Sequence, residues 1–117
     1  MKKLFISQPM KGKTDDEILA ERETAINIAK ELYDTDEEIQ VIDSFFQGAP
    51  SDAKPLWFLG KSLELMSTAD IVFFVEGWEE ARGCRIEHNC ALDYDIDFIS
   101  MDKDVATLHL KHKLGGD

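Results

Sequence analysis

Ile71-Val72-Phe73-Phe74-Val75 is an unbroken run of five apolar residues. A strand with one wet face alternates apolar and polar residues. A short continuous run rich in β-branched and aromatic residues fits a strand covered on both faces. Covering both faces takes helices on each side of a mostly parallel sheet. The rest of the chain supplies that frame. Leu4-Phe5-Ile6 reads as a first strand, stopped at Ser7-Gln8-Pro9, with Pro9 and Gly12 punctuating a loop. Thr14 and Glu17 have capping-box spacing, and Ile18, Leu19, Ala25, Ile26, Ala29 and Leu32 recur helically, which predicts a helix over 14–33. Its other face carries Glu21, Arg22, Glu23 and Lys30. Ile39 to Ile42 reads as a second strand, residues 45–55 as a loop, and Leu56, Leu59, Leu63 and Met66 mark a second helix. A third helix runs from Ala81 or Arg82 to Tyr94, Phe98-Ile99 forms a short fourth strand, and residues 104–113 read as a closing helix.

This alternation predicts an α/β fold with a three-layer doubly wound, flavodoxin- or Rossmann-like sheet of four to five mostly parallel strands. The 117 residues make one domain. In such sheets ligands bind beyond the carboxyl ends of the strands. The segments expected there are residues 7–12, 43–46, 76–83 and 100–102.

Charge narrows the partners. Lys and Arg total 13 against 24 Asp and Glu, a net charge of −11. A phosphate backbone and an anionic membrane surface are both repelled by such a chain, so no nucleic-acid or membrane partner is expected. No apolar run approaches the ~18 residues of a spanning helix, and the apolar stretch after Lys2-Lys3 is too short for a secretory signal. Cys84 and Cys90 form neither a metal-ligand pattern nor a disulfide framework, and a reducing cytoplasm is the expected compartment. His109 and His112 stand three apart on the tail with no third ligand, so no metal site and no cofactor are expected.

Two segments carry chemistry. In Ser7-Gln8-Pro9-Met10-Lys11-Gly12, hydroxyl and amide donors, a mobile cation and a helix N-terminus can hold a polar ligand, or the loop is an ordinary strand-to-helix turn. In the stretch from Glu76 to Glu87, an apolar strand empties into two glycines, a Trp, four carboxylates and two arginines. Glu87 falls in the first turns of the third helix with Gly83 and Ala91 on its face, which leaves room for a ligand above it. The positive helix end favours its ionised form. A carboxylate so presented suits attack at an electron-poor carbon such as a sugar anomeric centre, or it is one solvated acid among many. Trp78 is a candidate platform for a nucleobase or a packing residue, and Trp57 reads as packing. Arg82 and Arg85 bind a phosphate or carboxylate, or pair with Glu79, Glu80 or Glu87. Cys84, beside two arginines, is either a thiol of lowered pKa or a small buried residue.

The segments Phe5-Ile6-Ser7-Gln8-Pro9-Met10-Lys11-Gly12, Ala69-Asp70-Ile71-Val72 and Gly77-Trp78-Glu79-Glu80-Ala81-Arg82-Gly83-Cys84-Arg85-Ile86-Glu87, followed by Ala91, resemble the nucleoside 2-deoxyribosyltransferase superfamily over residues 3–100. The likeness is greatest to its small stand-alone branch. The resemblance implies cleavage or transfer at the N-glycosidic bond of a nucleoside or nucleotide, with Glu87 as nucleophile at C1′. It implies that Ser7, Gln8, Pro9, Met10, Lys11, Gly12, Asp43, Gly77, Trp78, Arg82 and Gly83 bind substrate, that Asp70 is structural, and that the chain forms a homodimer or larger homo-oligomer. Three positions depart from the family pattern. Phe5 stands for a Tyr, Ser62 for an Asp, and Ala81 for an Asp or Ser. Lys11, Arg82 and Asp43 are the candidates to substitute for the missing groups. Two other readings stand beside the enzyme. One is a module that binds a nucleotide-like ligand without chemistry. The other is an oligomeric protein with a sticky surface of Phe45, Phe46, Trp57 and Phe58.

Overall fold

The structure, a computed structural model, describes residues 1–33, 37–44 and 51–110. Five strands form one sheet: β1 (Lys2–Ser7), β2 (Ile39–Val41), β3 (Ile71–Phe74), β4 (Asp97–Asp102) and β5 (Val105–His109). Three helices accompany them: α1 (Asp15–Leu32), α2 (Pro55–Met66) and α3 (Arg82–Asp93). The strand order is β2-β1-β3-β4-β5, parallel except for the β4–β5 junction. This is the expected three-layer, Rossmann-like architecture. The order reverses beside β1, which makes the β1/β3 border the switch point where open α/β sheets bind ligands.

Alternation along the central strands sorts the core onto two faces. Leu4, Ile6, Ile71, Phe73, Val75 and Ile99 pack with Ala25 and Ala29 of α1. Phe5, Val72, Phe74 and Phe98 point the other way, onto Met66 of α2 and Ala91 of α3. Ile71 to Phe74 are all buried, as a strand covered on both faces requires. Each such side chain contributes about 1.5–3 kcal/mol by leaving water. Asp70 locks the start of β3 to β1: its Oδ2 accepts from the Lys3 N–H and its own N–H donates to the Lys3 carbonyl, both at 2.8 Å.

At the start of α1, Thr14 Oγ1 accepts from the Glu17 N–H at 3.2 Å and Glu17 Oε1 accepts from the Thr14 N–H at 2.9 Å, the reciprocal pair that the spacing foretold. Two expectations fail elsewhere. The tail is not a helix: residues 105–109 are β5, antiparallel to β4 across a two-residue turn, Lys103-Asp104, with φ of 50° and 69°. The turn lengthens β4 to six residues and puts Leu108 opposite Ile99 and Ala106 opposite Met101. His109 is therefore a strand residue, with its ring stacked on Phe98 at 4.8 Å, and His112 lies outside the described residues. Arg22 is not on the solvent face of α1. It is 7% exposed, in the same stripe as Ile18, Ala25 and Ala29.

Candidate active site

A cavity of about 710 Å³ opens where β1, α2 and α3 meet at the carboxyl end of the sheet. That is within the usual range for a small-molecule site. The turn after β1 brings Ser7, Gln8, Pro9 and Met10 to its wall, and the start of α3 brings Arg82, Gly83 and Glu87. Pro55, Leu56, Phe58 and Leu59 of α2 form an apolar side opposite, and Ser44 follows β2 into the lining.

Glu87 sits at the buried end, 6% exposed. Ser7, itself 2% exposed, donates from Oγ to Glu87 Oε1 at 2.5 Å. Ser62, from α2, lines the cavity on the side facing the same carboxylate and favours its ionised form. Three elements thus converge on one acid. Burial pushes the Glu87 carboxyl above its ordinary range, and the two hydroxyls pull it only part of the way back. The helix end does not leave Glu87 easy to ionise, as the sequence reading expected. Loss of water around a charge outweighs a screened helix dipole. Cys84 lies three residues earlier on α3, beside Ser7. Burial lifts its thiol to about 11, so it is an inert buried cysteine rather than an activated one.

Behind the wall lies a second polar group. Arg22 Nη1 donates to Gln8 Oε1 at 3.2 Å and to Ser44 Oγ at 3.1 Å, while Nη2 donates to the Ile42 carbonyl at 3.2 Å. Gln8 Nε2 donates to the Ile18 carbonyl and to Glu21 Oε1, each at 3.2 Å. Gln8 is therefore a fixed wall tied back to α1, and Ser7 is tied to Glu87. The two donors expected to hold a ligand are already engaged inside the protein. Burial lowers the proton affinity of Arg22, and the nearby Asp43 carboxylate opposes that shift.

Of the expected substrate-binding residues, Ser7, Gln8, Pro9, Met10, Arg82 and Gly83 come together around Glu87. Lys11 and Gly12 turn away into solvent, because Gly12 reverses the chain at φ 81°. Asp43 is exposed beyond β2 and lies off the cavity, while its neighbour Ser44 takes the place expected of it. Gly77, at φ 94°, backs onto Pro9 rather than lining the cavity: a Cβ there would lie 3.7 Å from the Pro9 ring. Trp78 is not free to hold a base, since its ring stacks on His88 at 4.2 Å and packs against Phe74. Residues 100–102 are paired to β5 and lie off the cavity. Ala91 is fully buried in the core and opens no space above Glu87, whereas at Gly83 an added Cβ would meet nothing within 4 Å. Arg85 donates to the Glu79 carbonyl at 2.9 Å. Phe45 and Phe46 lie outside the described residues.

Sequence reasoning named Ser62 only as a departure, held Ser44 only within the strand-end segment 43–46, and missed the α2 wall. The signal for Ser62 was its place between Leu59 and Leu63, on the inward side of its helix. Among the described residues no group of His, Cys, Asp and Glu is arranged to hold a metal, and no helix is long and apolar enough to cross a membrane. Set against family models, curated proteins and solved structures, the chain finds no match in any of the three comparisons.

Proposed function

We propose that this chain cleaves or transfers the N-glycosidic bond of a nucleoside or nucleotide in a reducing cytoplasm, with Glu87 as the nucleophile at the sugar C1′. The observation that carries the reading is the buried Glu87 carboxylate, held by Ser7 at the inner end of a cavity of nucleoside size. The resemblance of the motifs around Ser7 and Glu87 to the nucleoside 2-deoxyribosyltransferase superfamily supports it. Ser7 fixes one carboxylate oxygen, which leaves the other to attack. The attack forms a glycosyl ester and expels the base; water or a second base then attacks C1′ and releases the carboxylate. The apolar α2 wall suits a flat base. Exposed Leu56 and Phe58 at its mouth suit closure by a second copy of the chain.

The test is mass spectrometry of base release from a panel of nucleosides and 5′-monophosphates. Glu87-dependent release is expected, with Glu87→Ala lowering turnover by at least about 1,000-fold. Release that persists in Glu87→Ala overturns the reading. A second reading, a module that binds such a ligand without consuming it, is favoured by the burial that resists ionisation of Glu87. It requires a ligand that raises the melting temperature and is recovered intact after hours.

A further inference from the structure

If Glu87 attacks the sugar, some group must deal with the departing base. A neutral purine or pyrimidine leaves as an anion unless an acid protonates it, and a positioned acid is typically worth 10²–10⁴-fold in rate. The described residues lining the cavity include three ionisable side chains: Arg82, Cys84 and Glu87. Glu87 is the nucleophile. A guanidinium does not give up its proton. The Cys84 thiol, raised to about 11, is too weak an acid to serve near neutrality. The Ser7 hydroxyl points its hydrogen at Glu87, and the hydroxyl of Ser62 is too weak an acid to replace a carboxylic acid. In the sequence, residues 45–50 contain no ionisable side chain. Position 62 is where the resembling enzymes carry an Asp.

From this lining, and resting on the reading given under Proposed function, we infer that the site takes N-glycosides whose base already carries a formal positive charge at or conjugated to the glycosidic nitrogen. The class comprises pyridinium ribosides and N7-alkylated purine nucleosides. The step balances without an acid. A Glu87 oxygen forms a bond to C1′ as the C1′–N bond breaks, and its electron pair neutralises the cationic ring, which leaves as a neutral base. Water then attacks C1′, the ester C–O bond breaks with its pair returning to the carboxylate, and one proton goes to solvent. Two other features suit a cation. The net charge of −11 draws cationic substrates toward the protein. Phe58, 36% exposed, gives the cavity aromatic surface, which attracts a ring cation.

The experiment measures base release by the full chain and by Glu87→Ala from matched pairs: 7-methylguanosine against guanosine, and nicotinamide riboside and its 5′-monophosphate against adenosine, uridine and theirs, with the 2′-deoxy forms alongside. The expected result is Glu87-dependent release at least about 100-fold faster from the cationic member of each pair. For nicotinamide riboside, whose ring stays cationic throughout, the pH–rate profile should rise through the Glu87 ionisation to a plateau. Glu87-dependent release of neutral partners within about tenfold of the cationic ones overturns the inference and leaves the glycosidic function standing. So does a nicotinamide riboside rate that falls again toward pH 9, as it would if a second copy of the chain supplied an acid. No Glu87-dependent release from any compound overturns both.

Discussion

Glu87 shows how burial and chemistry compete at a single side chain. A carboxyl whose folded pKa is raised binds its proton more tightly in the folded than in the unfolded chain. Its ionisation therefore costs nothing below the unfolded value, near 4.5. The cost grows as pH rises and is complete above the elevated folded value. Glu87→Gln removes the cost and keeps an acceptor for Ser7. It is expected to raise the melting temperature at neutral pH by a few degrees, on the order of 1 kcal/mol, with the gap closing below pH 4.5. Melting curves of the two proteins from pH 4 to 8 check this; a gap independent of pH contradicts it. Glu87 was singled out by the resemblance of its segment; its local pattern suited one solvated acid among many equally well, and its burial and its bond to Ser7 are what set it apart. Arg22 was not legible. Its charge put it on the wet face, although its spacing from Ile18, Ala25 and Ala29 follows the apolar stripe. What decided its place was the set of acceptors on Gln8, Ser44 and Ile42, which come from two other segments and leave no local trace.

Among the elements, the parallel core and its three helices could be read from periodicity, capping and one five-residue apolar run. The last strand could not. Val105-Ala106-Thr107-Leu108-His109 spaces its apolar residues in a way that suits either a short helix or a strand. The choice was made by Lys103-Asp104, a pair without the glycine or asparagine that usually announces a two-residue hairpin. Both residues take positive φ, which costs side chains such as lysine about 1–2 kcal/mol. Replacing Lys103 by Asn and Asp104 by Gly is expected to stabilise the protein by about 1 kcal/mol. The bond from the Asp104 N–H to Glu76 Oε1, at 3.0 Å, uses backbone and survives the change. A urea midpoint that rises with an unchanged slope is the expected result, and a fallen midpoint refutes it.

At the scale of the whole molecule, 24 acids against 13 bases leave the surface repelling itself. The ion pairs found among the described residues include the part-buried Lys13–Glu21 at 2.6 Å and exposed pairs such as Lys61–Glu64 at 3.4 Å, the exposed ones each worth about 0–1 kcal/mol. Screening should therefore remove more repulsion than attraction. Raising NaCl from 0.01 to 0.1 M shortens the screening length from about 30 to about 10 Å, and the melting temperature is expected to climb by a few degrees. A flat or falling trend in calorimetry argues against this balance.

The β4–β5 hairpin is closed by neighbours in the chain, a motif that zips within about 1–10 μs. The Ser7–Glu87 contact joins residues 80 apart and waits on the slow closure of the parallel strands between them. A partly assembled chain thus has its hairpin before it has a site. The cavity lining is drawn from segments between residues 5 and 87, so it closes only when β1, α2 and α3 have met, an event the hairpin does not report.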